Sequence, residues 1–328
     1  MRNKLLLSNH HAETQRREKI RSPYKLLQNL GVLASWREKF QASFTLLTIA
    51  FSVSAWSQEI NFDVSFSVDW AKAELHAQTS FSLAEAGIRL PAGRFLAEET
   101  LREAYPSLIK PHLASLQADS ASTIASLLER RELIEEDLDA LCRETGNVPP
   151  SLTTDLARMT GRYTIPLGKL SALILKRKNA IEPEKPLVPV KTADYTGIII
   201  IADDKLPVHG RRAEALLEPC LFPKIWDTGM NLVYDRNIHA SGNLMVQYAG
   251  RSSIFRSSPS GLEGELAALL GNNPLRIIAR GVFGINPTDP VIDREDALKI
   301  LSTENNRRLL REGRVLFVLN EGMLKSGN

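Results

Sequence analysis

GIIIIADD, residues Gly197–Asp204, is the stretch that decides the fold. Ile198 to Ala202 run apolar without a polar alternate, which suits a strand covered on both faces rather than one lying half in water. On its C-terminal side, further strands are expected at Leu232–Tyr234, Leu244–Tyr248, Leu275–Val282 and Arg314–Leu319. Asp227-Thr228-Gly229 marks the turn before the first of these. Asp293 reads as the N-cap of a helix over Arg294–Leu301, with Glu295 and Asp296 at its positive end. Gly313 closes the following helical stretch and launches the strand RVLFVL. Apolar strands at both ends and a helix between them imply a mixed sheet with a helix on at least one face, an α+β or α/β domain over 191–322, with 323–328 as a tail.

On the other side lies NAIEPEKPLVPV, residues 179–190, with three prolines and no helical period. It reads as a stiff linker and sets the domain boundary. Before it, 58–178 reads as a smaller α+β domain. Phe62, Val64, Phe66, Val68 and Trp70 alternate with Asp63, Ser65, Ser67 and Asp69, the period of a half-buried strand whose polar side faces water. Pro91 suits a first helical turn, and Ala97, Leu101, Ala104 and Leu108 follow at helical spacing; Pro106 and Pro111 are expected to kink or end that helix. A second helix is expected over 119–145, capped by Asp119 or Ser120, with Ile124, Leu127, Leu128, Ile134, Leu138 and Leu141 as its apolar stripe. Gly146 and Pro149-Pro150 stop it. A short helix near Ser151–Met159 and a strand near Arg162–Leu167 complete the region.

Further upstream, FQASFTLLTIAFSV, residues Phe40–Val53, is an apolar run preceded by Arg37 and Lys39 and followed by Ser54-Ala55-Trp56-Ser57. Basic flank, apolar core and small-residue exit are the layout of a secretory signal, assigned to 37–57, with cleavage after Ser57 and Gln58 as the first mature residue. The run is shorter than the ~20 residues of a membrane-spanning helix and carries Gln41, Ser43, Thr45 and Thr48. Residues 1–36 read as a basic leader or as an over-extended gene model. The expected location is the periplasm or beyond, without a lipid anchor, since no Cys stands at the exit, and without a transmembrane helix after cleavage. Nine of the 41 basic and three of the 38 acidic residues precede Gln58, leaving 32 and 35. The formal charge of +3 thus becomes −3, and the basic pI is no sign of nucleic-acid binding. Cys142 and Cys220 lie far apart in sequence and are expected to stay unpaired; no C-x-x-C or zinc spacing occurs.

Taken in order, GIIIIADD, LFPKIWD, TGMNLVYDR, GNNPLRIIARGVFG, DPVIDREDALKIL and RVLFVL resemble the exported bacterial proteins related to the flagellar H-ring protein FlgT and the associated outer-membrane lipoproteins. The matching positions are Gly197 and Asp203; Pro223, Ile225, Asp227, Val233 and Tyr234; Pro274, Leu275, Ala279 and Gly284; Ile292, Asp296, Ala297 and Ile300; and Arg314 and Val315. Trp70-Ala71-Lys72-Ala73 and Arg94–Glu98 take the places of the family's first domain, and Arg211–Glu218 looks inserted. The resemblance implies an exported envelope protein that acts through protein contacts.

Asp203-Asp204 follows the buried strand, where open sheets gather ligand groups, and paired carboxylates can hold Ca²⁺ or Mg²⁺. Weighed against this is a solvated turn. His209 and His239 stand at no metal-binding spacing. Ser257-Ser258-Pro259-Ser260-Gly261 lacks the glycine of a nucleophile elbow, Asn286-Pro287 and Asp289-Pro290 read as turns, and no phosphate-binding loop is present. No catalytic, cofactor-binding or metal-ligating residue and no cofactor is assigned. The favoured expectation is a non-enzymatic envelope module that binds protein partners or itself. The alternative is a periplasmic ligand-binding protein or metal-dependent hydrolase using Asp203, Asp204 and His209.

Overall fold

The alternation of FDVSFSVD forms the first strand, β1 (Phe62–Asp69). Phe62, Val64 and Phe66 are half-buried and Val68 is buried, while Asp63, Ser65 and Ser67 are exposed. This computed structural model describes residues 60–146, 148–175, 180–240, 244–254 and 264–327. The expected leader at 1–36 and the expected secretory signal at 37–57 lie outside the described residues. After β1 come β2 (Glu74–Ser82), α1 (Arg94–Ala114), the hairpin β3 (Gln117–Asp119) and β4 (Ser122–Thr123), α2 (Ile124–Glu129), α3 (Glu135–Thr145), β5 (Ser151–Leu152), β6 (Arg158–Pro166) and α4 (Leu167–Ile174). β1, β2, β6 and β5 pair antiparallel in that order. Ala97 and Leu101 of α1 pack with Phe81 and Met159 on the inner face.

Four local expectations change in this region. Helix α1 runs through Pro106 and Pro111, and its buried stripe is Ala97, Leu101, Tyr105, Ile109 and Leu113 rather than one continuing through Ala104 and Leu108. Each proline removes one amide donor. The carbonyls left over belong to Arg102 and Ser107, both exposed residues within reach of solvent. The helix expected over 119–145 is two helices, broken where Arg131 takes φ +58°. Thr123, not Asp119 or Ser120, caps α2, exchanging hydrogen bonds with Ser126, and Ile134 is half exposed. The short helix expected at Ser151–Met159 is instead β5, a turn held by the Asp155 carboxylate, and the start of β6. Asp69, expected in water, is buried and accepts the Lys72 amide at 3.1 Å.

The second region comprises β7 (Ile198–Ala202), β8 (Leu206–Pro207), β9 (Glu214–Ala215), β10 (Ile225–Asp227), β11 (Leu232–Tyr234), β12 (Gln247–Gly250), α5 (Arg251–Ile254), α6 (Gly264–Leu270), β13 (Leu275–Ile278), β14 (Gly281–Phe283), β15 (Asp289–Ile292), α7 (Arg294–Ser302), α8 (Glu304–Arg311), β16 (Val315–Leu319) and β17 (Lys325–Gly327). One sheet is wholly parallel, in the order β12-β16-β7-β13. A second, mixed sheet runs β11-β10-β15-β14. The expected strand Leu275–Val282 is therefore two strands in two sheets, and the strand expected from Leu244 begins at Gln247. Asp293 stands at the N-cap of α7 but spends its carboxylate on Arg280, at 2.6 Å. The parallel sheet is covered on both faces. Ile198, Ile200, Val315 and Phe317 face the main core, whereas Ile199, Leu316, Val318 and Ala249 pack with Ile254 and Leu270 of α5 and α6.

The chain thus has a two-region α+β fold, and the two regions share one apolar core. Trp70 meets Tyr248 edge to face at 5.7 Å. The amides of Leu221, Phe222 and Asn286 donate to the carbonyls of Gln117, Ala118 and Ser120, at 3.2, 2.8 and 2.9 Å. The expected tail 323–328 includes β17, which pairs antiparallel with Ser67–Asp69. A strand added to a sheet edge satisfies backbone groups that a free tail would leave to water. Residues 180–190 form no helix or strand but are tied to the second region: Ile181 donates to the Asn237 carbonyl at 2.8 Å, and Val190 to Ser302 Oγ at 2.9 Å.

Candidate functional site

Parallel pairing sends the carboxyl ends of β12, β16 and β7 to one side of the sheet, and polar residues crown all three. Asp203 and Asp204 follow β7, Arg251 and Ser252 follow β12, and Asn320 and Glu321 follow β16. Arg251 grips both Asp203 oxygens, through Nε to Oδ2 and through Nη2 to Oδ1 at 3.1 Å. Asp203 is 9% exposed, while 58% of the Arg251 side chain faces solvent. The carboxylate holds the guanidinium even more firmly in its charged form. Asn320 Nδ2 donates to the Asp203 carbonyl at 3.3 Å, and Ser252 Oγ donates to Glu321 at 2.8 Å. Gly250 leaves the room that Glu321 occupies, since a Cβ there would collide with that carboxylate.

The crown does not assemble the residues named for a metal. Asp203 is taken by Arg251, Asp204 is exposed, and His209 lies past β8 with its ring edge-on to Phe283 at 6.0 Å. His239 is buried beside Tyr234, 3.4 Å from its hydroxyl. Among the described residues no group of three or more His, Cys, Asp or Glu is placed to hold a metal ion. The serine-rich stretch Ser257–Gly261 lies outside the described residues.

Further titratable groups displaced from their ordinary values lie deeper. Asp289 begins β15 fully buried, accepting from the Lys224 amide and Thr288 Oγ1 at 3.0 Å each and from Trp226 Nε1 at 3.3 Å. Burial raises its pKa despite these bonds. Beside it, the Cys220 amide donates to the Tyr248 hydroxyl at 3.1 Å, and that hydroxyl donates to the Cys220 carbonyl at 2.7 Å. Burial pushes both the Cys220 thiol and the Tyr248 phenol up. Cys142 is also buried, its thiol pushed up to about 11 by desolvation. Both cysteines are free. Asp289, Cys220 and Tyr248 hold loop 218–226 against β12 and β15 rather than meeting in an open cleft. By sequence alone Asp289-Pro290 reads as a turn, since nothing local distinguishes a buried aspartate from a turn aspartate before proline.

At the seam of the two regions a cleft of about 460 Å³ is lined by β1, β17, the end of α1 and the loop at Glu218-Pro219. In it Phe66 and His112 stack at 5.1 Å, and Lys325 and Glu218 both border the opening. Among the described residues no helix is long and apolar enough to cross a membrane.

Residues 61–173 match the family of the N-terminal domain of Treponema pallidum Tp0624, and residues 197–321 match that of its second domain. The chain is therefore similar, region by region and in the same order, to two successive domains of one protein. No curated protein matches it.

Proposed function

We propose that this chain is an exported, non-enzymatic protein of the bacterial cell envelope that works as an assembly or interaction module. The observation that carries this reading is where the chemically capable groups are spent. Asp289, Cys220 and Tyr248 give their polar atoms to backbone and neighbouring side chains and tie the loop before β10 to β12 and β15. A functional acid, base or nucleophile needs instead to converge with others on a cleft. What such a body offers is surface: the outer face of the first sheet, its edge beyond β17 and the seam cleft. Export rests on the basic, apolar and small-residue order of 37–57. Placement near the flagellar basal body or outer membrane rests on the family resemblance over most of residues 60–320.

One observation favours a second reading. The polar crown stands at the carboxyl ends of parallel strands, where ligands bind in open α/β sheets, so a periplasmic ligand-binding role is the alternative. Crosslinking in intact cells, with mass spectrometry of the mature N-terminus, decides between them. A start near Gln58 and a stable protein adduct are expected. An unprocessed cytosolic chain, or a purified protein that turns over or retains a small molecule, would remove the proposal.

A further inference from the structure

Residues 180–190 lie between the two family-matched stretches, which stop at 173 and resume at 197. Pro183, Pro186 and Pro189 fall at every third position. Three residues per turn is the period of the polyproline II helix, so an extended chain puts the three rings on one side. Proline fixes its own φ and confines the residue before it to extended conformations. Glu182, Lys185 and Val188 therefore join the three prolines in being restricted by local chemistry alone.

The segment is also held at both ends. Ile181 is bonded to Asn237, Glu182 pairs with Arg311, and Val190 is bonded to Ser302. Between these anchors the chain bends at Leu187 and Val188, which are 101% and 78% exposed. Burying such side chains would remove apolar surface from water, a gain the fold forgoes at both positions. Pro183 is buried and belongs to the fold; from the half-buried Pro186 the order is Pro-Leu-Val-Pro-Val-Lys, and Pro189 and Lys191 are exposed. Prolines in the P-x-x-P arrangement dock between aromatic rings, and a cation just beyond them complements an acidic groove end.

We propose that residues 186–191 are a docking strap for a partner protein whose groove is lined by aromatic rings and carries an acidic group to meet Lys191. The proposal rests on reading the chain as an interaction module and names the surface it uses. Binding straightens the bend at Leu187-Val188. The entropic cost is small because the flanking residues are already restricted.

The test places a photo-crosslinking residue, p-benzoylphenylalanine, at Leu187 of the full chain in intact cells. A parallel chain carries it at Ser65, on the outer sheet face. The partner segment joined to each is mapped by mass spectrometry. Capture from position 187 is expected, with the adduct in a segment bearing Trp, Tyr or Phe beside Asp or Glu. Capture should fall about tenfold in Pro186→Ala/Pro189→Ala and in Lys191→Glu, the change produced by a tenfold weaker Kd at low occupancy. Unchanged thermal transitions in these variants exclude misfolding as the cause. Capture that ignores both changes, or an adduct on a surface without aromatics, would overturn the strap. Capture from position 65 alone would overturn the strap and leave the interaction reading standing. Capture from neither position would remove both.

Discussion

The antiparallel sheet of the first region buries one face, and the parallel sheet of the second buries both. In the first, Asp63, Ser65 and Ser67 have a whole face of water to occupy. In the second, polar groups have no outlet along β7 or β16, so they collect at the strand ends, as Asp203, Asn320 and Glu321 do. Polar groups left inside, such as Asp289, are held by several donors. Covering both faces of a sheet thus concentrates polar chemistry at its rim, whereas an open face spreads it thinly.

The comparison breaks first on the sheet interiors. Phe317, fully buried at the centre of the parallel sheet, should cost about 3–5 kcal/mol as Phe317→Ala. Phe66, half-buried near the open edge, should cost about half as much as Phe66→Ala, because partial burial forfeits less apolar area. Urea denaturation at constant m checks both, and equal losses would erase the distinction between the sheets. Trp70→Ala probes whether the regions are energetically one. A loss of about 3 kcal/mol in a single transition is expected, whereas two separated transitions would mean independent regions despite the Trp70–Tyr248 contact.

Asp289→Asn sharpens the rim argument. The folded-state carboxyl is held above its ordinary value, so the unfolded chain releases this proton first as pH rises. The native state therefore loses stability from pH about 3.9 upward until the raised value is passed. Thermal melts across acid pH should show this loss in the parent and not in the variant. The variant should carry a constant penalty of about 1–3 kcal/mol, because an amide cannot accept from all three donors. The smallest effect belongs to the open face: Ser65→Lys, exposed on β1, should change stability by less than about 0.5 kcal/mol. A larger loss would show that this face is covered.

Local periodicity carried the strands that depend only on their own neighbours. GIIIIA and RVLFVL became β7 and β16, and the FDVSFSVD alternation became β1. Patterns failed where distant partners decide. Pro106 and Pro111 read as helix breakers, yet α1 continues because packing of Tyr105, Ile109 and Leu113 outweighs two missing bonds on its exposed side. Ser151–Met159 read as helical, but pairing of β5 with β6 claimed both its ends. The site was less legible still. Asp203 was singled out by its place after a strand, but Arg251, 48 residues on, reaches it only through the β12-β16-β7 order. No spacing rule encodes strand order.

Strand β17 gives the molecule a schedule. Its partners Ser67, Val68 and Asp69 emerge near the beginning of the described chain, and Lys325, Ser326 and Gly327 at its end. While the ribosome works through the intervening residues, that side of β1 keeps unpaired amides and carbonyls beside half-buried Phe66. A nascent chain thus carries a strand-accepting edge for most of its synthesis, the condition under which chains pair wrongly with one another. The same closure makes completion of the first sheet one of the last native events, since loop-closure entropy must be met before such a distant pairing forms.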